Sequence, residues 1–161
     1  MPVTLEQLLQ SRDNRAKHQK DLLGANPGRS LLCMTVQLPG PEKRNQYSLA
    51  IAKAGVQAIR EAFQPEYEEL KDLETGFEAY FFVPMPAVEA KRRACQIEDT
   101  HPLGRLMDID VPGLSRADIG LEPRKCLLCG NEVRYCMRAK THTNQELLAR
   151  IEEMVKKECA I

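Results

Sequence analysis

Two aspartates at alternate positions of a short strand are the residues of this chain best suited to chemistry. They close the segment His101-Pro-Leu-Gly-Arg-Leu-Met-Asp-Ile-Asp-Val111. Because strand side chains alternate between faces, Asp108 and Asp110 are predicted to project together. Carboxylate oxygens are ligands that Mg²⁺ prefers, and the ion is often shared with substrate phosphates. The alternative to a metal site is an edge strand with a solvated acidic face, which is the commoner origin of so short a pattern.

The loop before these aspartates carries groups that can bind a phosphate. Gly104 permits a close approach to the backbone, while Arg105 and His101 offer hydrogen-bond donors. We therefore predict phosphoryl or nucleotidyl transfer, with Asp108 and Asp110 as Mg²⁺ ligands and with Arg105 and His101 as further catalytic residues. Gly104 is assigned to substrate binding.

A cysteine-rich segment near the C terminus forms a second candidate metal site. Cys126 and Cys129 are a Cys-x₂-Cys pair, Cys136 lies seven residues further on, and His142 another six. Three thiolates and one imidazole can complete a tetrahedral zinc site. Reduced cysteines packed in the interior and a redox pair are the two alternatives, and none of the three interpretations makes these cysteines catalytic.

Positive charge is concentrated in two places. One lies around the cysteines, and we predict that Arg124, Arg138, Lys140 and His142 bind the anionic end of a substrate, since Arg can contact phosphate through two N–H groups at once. The other is the first helix, with the segment Ser11-Arg-Asp-Asn-Arg15. For both clusters the alternative is a solvated charged surface, held on the helix by local ion pairs.

Composition excludes several classes of protein. The chain has 161 residues, 43% hydrophobic and 29% charged, with a formal net charge of zero. A global basic field for nucleic acid is therefore absent, and only 5% of residues are aromatic, too few for base-stacking platforms. The first residues lack the apolar stretch of a targeting signal and no apolar run is long enough to cross a membrane. We expect a cytoplasmic protein with no membrane or nucleic-acid partner, whose six cysteines are thiols or metal ligands.

Apolar periodicity and turn signals predict helices alternating with strands. We expect one α/β or α+β domain over residues 1–161, with a small mixed sheet packed against helices and a nucleotidyltransferase-like fold as one option. Strand order stays open. The expected elements are helices at 5–23, 46–63, 87–99 and 144–157, strands at 30–38, 77–84 and from 108, a short helix or turn from Ser115, and an acidic loop or helix tail at 66–76.

Three segments together resemble one known family. They are Ser11-Arg-Asp-Asn-Arg15, the His101–Val111 segment, and Pro123-Arg-Lys-Cys-Leu-Leu-Cys129 with Arg138-Ala-Lys-Thr-His142. Across residues 4–158 the chain resembles the apo-citrate lyase phosphoribosyl-dephospho-CoA transferases, also called citrate lyase holo-acyl-carrier-protein synthases. Met107 stands where this family usually has Trp, which is a hydrophobic replacement.

The resemblance implies a nucleotidyltransferase reaction. The donor would be 2′-(5″-triphosphoribosyl)-3′-dephospho-CoA, and the acceptor a serine of the acyl carrier protein subunit of citrate lyase. A phosphodiester would form and pyrophosphate would leave, with Mg²⁺ and cations stabilising the charge on the phosphate oxygens. Arg12 and Arg15, in the first of the three segments, are also assigned to substrate binding.

Other functions compete with this one. The same aspartates would serve a small metal-dependent phosphohydrolase, and the cysteines a zinc-stabilised interaction module without catalysis. Because an acidic carrier needs a basic docking surface, we expect the carrier to dock on the first helix, where Lys17 and Lys20 extend the charge of Arg12 and Arg15.

Overall fold

The computed structural model describes residues 2–36 and 38–160, which form five α-helices, four strands and two short 3₁₀ turns. In chain order the helices and strands are α1 (Leu5–Ala25), β1 (Ser30–Val36), α2 (Gln46–Phe63), β2 (Tyr67–Leu73), β3 (Gly76–Val83), α3 (Ala87–Thr100), β4 (Asp108–Asp110), α4 (Val133–Ala139) and α5 (Asn144–Glu158). The 3₁₀ turns are Gly104–Leu106 and Ala117–Ile119. This is the α+β class predicted from the sequence.

The four strands form one antiparallel sheet in the order β2-β3-β1-β4. The predicted small sheet packed against helices is confirmed, but its strand pairings are all antiparallel where a mixed sheet was expected. A strand–helix–strand crossover is present, as the sequence suggests, because α3 joins β3 to β4. These two strands run in the same direction, but β1 lies between them and pairs antiparallel with both.

The two faces of the sheet differ in chemistry. One face packs on α2, α3 and α5 and forms the main core, which includes Met34, Phe81, Ile109 and Val155. The other face is covered by α1 and carries a smaller cluster of Leu31, Cys33, Tyr80 and Phe82 with Leu22 and Leu23 of α1. Since paired residues point to the same side, Asp108, Thr35 and Glu78 form a row on this second face.

Local capping explains where the helices begin. Thr4 and Gln7 form a capping box at α1, Asn45 and Ser48 form one at α2, and Thr143 and Glu146 form one at α5. In each box a side-chain oxygen satisfies an N–H group that has no partner within the helix. The predicted helices are confirmed to within a few residues at their ends.

Two differences from the sequence prediction concern strands. Tyr67–Leu73, expected as an acidic loop or helix tail, is the edge strand β2; its side chains are mostly exposed, so it shows little hydrophobic alternation, and its pairing with β3 determines its conformation. Strand β1 ends at Val36, and Gln37 of the predicted strand lies outside the described residues. Helix α4 was not predicted.

Within the described part of the chain, no helix is both long enough and apolar enough to cross a membrane.

Candidate functional site

Strand β4 presents its two aspartates at the edge of the sheet. The side chains of Asp108 and Asp110 are 62% and 58% exposed, whereas Ile109 between them is fully buried in the main core. The prediction that both carboxylates project from one strand face is confirmed by this alternation. The site therefore has two adjacent carboxylates that are open to a ligand.

Each aspartate faces one cation of the protein. Nη1 of Arg124 lies 3.5 Å from Oδ1 of Asp108, and Nζ of Lys91 lies 3.7 Å from Oδ1 of Asp110. Both distances exceed the roughly 2.7–2.9 Å of a charge-assisted hydrogen bond, so these cations leave room for a further ligand on the oxygens. Partial burial, followed by the nearby charge of Asp108, raises the pKa of Asp110 above its ordinary value.

The turn before β4 is shaped by Gly104 and His101. A Cβ on Gly104 would collide with the carbonyl oxygen of Ile97 and would lie 2.7 Å from that of Glu98, so a residue without a side chain is needed against the end of α3. The ring Nδ1 of His101 accepts a hydrogen bond of 3.0 Å from the N–H of Leu103. Both residues thus hold the turn, and their contacts with substrate stay predictions.

Arg124 ties this turn to the C-terminal segment. Its guanidinium donates hydrogen bonds of 2.9–3.0 Å to the carbonyl oxygens of Met107, Gly104 and Arg105. Nη1 also lies 3.5 Å from Oε2 of Glu98, a carboxylate whose side chain is only 3% exposed. With its N–H groups so engaged, Arg124 supports the backbone of the loop as well as adding positive charge.

Glu98 organises the interior beneath the site. Its Oε2 accepts a hydrogen bond of 2.8 Å from the N–H of Ile109, and its Oε1 accepts one of 2.8 Å from Nη2 of Arg116. Arg116 extends the pair to Asp99 at 2.9 Å. A buried charge is tolerated when it is paired and hydrogen-bonded, and here those bonds fix the start of β4 against α3.

A cavity of about 820 Å³ lies beside Asp108, between α1, the end of β1, the Gly104 turn and the C-terminal segment. Its charged lining is mainly cationic, with Arg12, Lys43, Arg105, Arg124 and Lys140 alongside the carboxylate of Asp108, and His142 adds an imidazole. Apolar side chains, among them Leu38, Leu147 and Ile151, form another part of its wall. A cavity of this size with both kinds of wall suits a large anionic ligand that also has an apolar portion.

Arg105 and Lys43 are partly desolvated in this cavity wall. Burial, followed by the charge of Arg124, lowers the pKa of Arg105, and its Nε donates a hydrogen bond of 2.7 Å to the carbonyl oxygen of Lys125. Burial, followed by the charge of Arg12, lowers the pKa of Lys43, whose Nζ donates to the carbonyl oxygen of Leu38 at 2.6 Å. An anion bound beside Arg105 and Arg124, or beside Lys43 and Arg12, would relieve the repulsion between the two cations of that pair.

The residues of the charged segment Ser11–Arg15 of α1 face two different places. Ser11 and Arg15 face the buried carboxylate of Glu78, with Oγ of Ser11 at 3.5 Å and Nη1 of Arg15 at 3.7 Å from its Oε2. The hydroxyl of Tyr80 donates to the other oxygen of Glu78 at 2.6 Å. Arg12, by contrast, lines the cavity. Only Arg12 of this segment is therefore positioned to meet a ligand there.

Cys126, Cys129, Cys136 and His142 come together in one cluster. One potential ligand atom from each lies within 4.8 Å of all the others, and the sulfur atoms of Cys129 and Cys136 are 3.5 Å apart. The four residues singled out from spacing alone thus converge, and three of them, Cys126, Cys136 and His142, also line the cavity.

Comparison with known proteins identifies the family. A family model described as apo-citrate lyase phosphoribosyl-dephospho-CoA transferase matches residues 3–158. Curated proteins of that name from Escherichia coli O1:K1 and from Shigella boydii serotype 18 are each 36% identical over 163 aligned residues, covering 95% of this chain and 88% of theirs. The chain belongs to this transferase family. The resemblance carried by the three sequence segments is confirmed.

Around the cavity of this transferase lie six of the predicted substrate-binding and catalytic residues: Arg12, Arg105, Asp108, Arg124, Lys140 and His142. The others lie apart from it. Arg138 is exposed on α4, Arg15 pairs with Glu78, and His101 caps the turn. Asp110 stands two residues beyond Asp108 on the same sheet face, next to Lys91.

Sequence reasoning missed the buried charges that support the transferase site. Lys91 and Glu98 lie on the inward face of α3 together with Ala94, and all three are buried. Their spacing of three and four residues along the helix was a usable signal, because a charged residue at a core-facing helical position needs a partner in the interior. Lys43 gave no comparable signal, since it lies in a loop.

Proposed function

We propose that this protein transfers the phosphoribosyl-dephospho-CoA group to apo-citrate lyase. The donor is 2′-(5″-triphosphoribosyl)-3′-dephospho-CoA, and the acceptor is a serine hydroxyl of the acyl carrier protein subunit. The serine oxygen forms a bond to the α-phosphorus of the donor, and the bond from this phosphorus to the bridging oxygen of the β-phosphate breaks. A phosphodiester and pyrophosphate result, with one proton released to solvent.

The observation that carries this proposal is the cationic cavity beside Asp108 in a chain of this family. Phosphoryl transfer depends mainly on positioning and on charge stabilisation, because little covalent chemistry falls to the protein. Arg105, Arg124 and Lys140 are the cations that we assign to the donor triphosphate. The apolar wall that includes Leu147 and Ile151 is the part of the cavity suited to the pantetheine arm.

Asp108 and Asp110 fit a magnesium site in their donor chemistry. Both offer carboxylate oxygens from one exposed strand face, at distances from Arg124 and Lys91 that leave the oxygens accessible. A bound Mg²⁺ would stabilise charge on the triphosphate oxygens and on the leaving pyrophosphate. The protein's own residues orient the donor: Arg124 fixes the loop that carries Arg105, and Glu98 fixes β4 from below.

The remaining assignments follow from this function. Residues 1–161 act as one transferase domain in the cytoplasm, and the carrier protein subunit and the donor are its partners. The cavity lies between structural elements of this one chain, so a donor can bind without a further protein. Hydrolysis of the donor is the competing reaction, and it differs from transfer in leaving the carrier unmodified.

The test is a transfer assay with purified protein, donor, Mg²⁺ and the apo-form of the carrier subunit. We expect the carrier to gain the mass of one phosphoribosyl-dephospho-CoA group and one pyrophosphate to appear for each carrier modified. Asp108→Asn and Asp110→Asn should each slow transfer at least about a hundredfold, which corresponds to roughly 2.7 kcal/mol of transition-state stabilisation. Glu158→Gln, at an exposed position at the end of α5, is the matched control and should transfer normally.

One result would overturn the role of the carboxylates, and another would overturn the transferase function. Near-normal transfer by both asparagine variants at the β4 positions would remove the assigned role of the carboxylates. Donor breakdown at the same rate with and without carrier, leaving the carrier unmodified, would identify a phosphohydrolase instead.

A further inference from the structure

We propose that Cys126, Cys129, Cys136 and His142 bind one zinc ion and that this ion fixes the cationic wall of the cavity. Binding of the metal is independent of what the cavity does. The link from the metal to donor binding rests on the proposed function, since that function assigns the cavity to the donor.

Geometry supports a single ion held by all four side chains. In a tetrahedral zinc site with Zn–S bonds of about 2.3 Å, neighbouring sulfur atoms are separated by roughly 3.7 Å. The sulfurs of Cys129 and Cys136 are 3.5 Å apart, and all four potential ligand atoms lie within 4.8 Å of one another. Small side-chain rotations would therefore place them around one metal.

His142 supplies an independent observation. Its Nε2 is shielded from solvent and has no hydrogen-bond partner among the described residues. A buried polar nitrogen without a partner is costly, and native proteins nearly always satisfy such an atom. A zinc ion on this nitrogen would satisfy it.

The sulfur of Cys126 also has a hydrogen-bond donor from the surrounding chain. The N–H of Leu128 donates to Sγ of Cys126 at 3.4 Å. Such donors to ligand atoms orient thiolates and offset their negative charge in metal sites.

The segment around the cluster has little else to hold it. Between Gly120 and Val133 the chain contains no helix or ladder strand, only an isolated bridge between Lys125 and Glu132. The short helix α4 that follows exposes Tyr135 and Met137 and buries only Cys136. A local structure with so small a hydrophobic core is stabilised in other proteins by a metal.

The metal would act on the cavity through the residues between its ligands. Arg124 lies two residues before Cys126, and the carbonyl of Lys125, directly before that cysteine, accepts the hydrogen bond from Arg105. Lys140 lies between Cys136 and His142 in a left-handed backbone conformation (φ 50°). Fixing the four ligands therefore fixes the backbone that carries Arg124 and Lys140 and the carbonyl that holds Arg105.

The first experiment measures metal on the full-length protein, purified under reducing conditions without chelator. We expect one zinc per chain by elemental analysis, and cobalt(II) substitution should give the thiolate-to-cobalt charge-transfer and tetrahedral d–d absorption bands. Cys129→Ser and His142→Gln should lower zinc content at least tenfold. Cys159→Ser, a cysteine outside the cluster, should retain a full equivalent.

The second experiment measures steady-state transfer by the same variants at matched concentrations. We expect Cys129→Ser to raise the KM for donor at least about fivefold while changing kcat less, because the positioning of the cations is lost and the β4 carboxylates are untouched. The Cys159→Ser variant should keep the wild-type KM.

These readouts separate the possible failures. Absence of zinc and of cobalt bands in the reduced protein overturns the metal site, whether or not transfer occurs. A Cys129–Cys136 disulfide found by mass spectrometry of freshly prepared protein assigns the pair to redox chemistry instead. Zinc binding with an unchanged KM in Cys129→Ser overturns the link to the cavity, while leaving the transferase function standing.

Discussion

The ammonium group of Lys91 lies 3.7 Å from a carboxylate oxygen of Asp110, although only 5% of the lysine side chain is exposed. A buried ammonium far from a carboxylate would be strongly unfavourable, so Asp110 is the countercharge that allows this lysine to be buried. Because Lys91 belongs to α3, the pair fixes Asp110 relative to the helix that also carries Glu98.

Replacing Lys91 should therefore affect transfer more than stability. In Lys91→Met the apolar side chain fits a buried position, and the half-exposed Asp110 keeps its hydration, so we expect a melting temperature close to that of the wild type. Asp110 loses its fixed orientation, and kcat/KM should fall about tenfold, equivalent to roughly 1.4 kcal/mol. Lys53→Met, on an exposed face of α2, is the control. Unchanged turnover in Lys91→Met would show that Asp110 does not depend on this lysine.

The sequence correctly predicted the helices and strands whose own residue pattern determines their conformation. Helices α2 and α5 have amphipathic spacing and a capping box, and the β4 aspartates alternate around a buried isoleucine. Strand β2 was not predicted, because a polar edge strand takes its conformation from pairing with its neighbour.

The roles of the arginines could not be read from the sequence in the same way. Arg12 and Arg15 occupy one short segment of α1, yet the first reaches the cavity and the second the buried Glu78. A long side chain can reach several partners, and the partner is decided by tertiary packing that spacing does not encode. The same holds for Arg124, whose donors meet carbonyls of a loop about twenty residues earlier in the chain.

Gly104→Ala should destabilise the protein. Its Cβ would overlap the carbonyl oxygen of Ile97, a backbone atom at the end of α3 that cannot move aside without disturbing the helix. We expect a loss of about 2–3 kcal/mol in the free energy of unfolding, measured by denaturant titration. Gly24→Ala is a matched control, because a Cβ on that glycine of α1 would meet no neighbouring group within 4 Å. The control should be neutral or slightly stabilising, since alanine favours helix. Equal stability of both variants would contradict the close packing of the turn.

Arg12→Ala should weaken donor binding, whereas Arg15→Ala should lower the free energy of unfolding. Arg12 lines the cavity, so its loss should raise the KM for donor severalfold and leave the free energy of unfolding nearly unchanged. Arg15 faces Glu78, which is buried, so its loss should cost about 1–2 kcal/mol of stability while the KM for donor stays close to normal. Steady-state kinetics and denaturant titration on both variants give the comparison. A shared profile would mean that the two arginines act at one site.

The exposed lysines of α1 should govern carrier docking. Lys17 and Lys20 are three residues apart, so they share one side of the helix that carries Arg12 to the cavity. An acidic carrier bound there would contact the helix that also lines the cavity. Because exposed charges act mainly on association and are screened by salt, Lys17→Glu with Lys20→Glu should raise the KM for carrier at least about threefold at low ionic strength. The KM for donor should not change, and the effect should shrink as salt is added.

The matched control for that pair is Lys53→Glu with Lys157→Glu, which changes the net charge equally at exposed positions on α2 and α5. If the carrier docks on α1, the control pair raises the KM for carrier less than the Lys17 and Lys20 pair does at low ionic strength, and it leaves the KM near the wild-type value at 0.1 M salt, where charges more than about 10 Å apart are largely screened. An equal rise in KM for both double variants would indicate a general charge effect. No rise for the Lys17 and Lys20 pair at low salt would place the docking surface on another face of the protein.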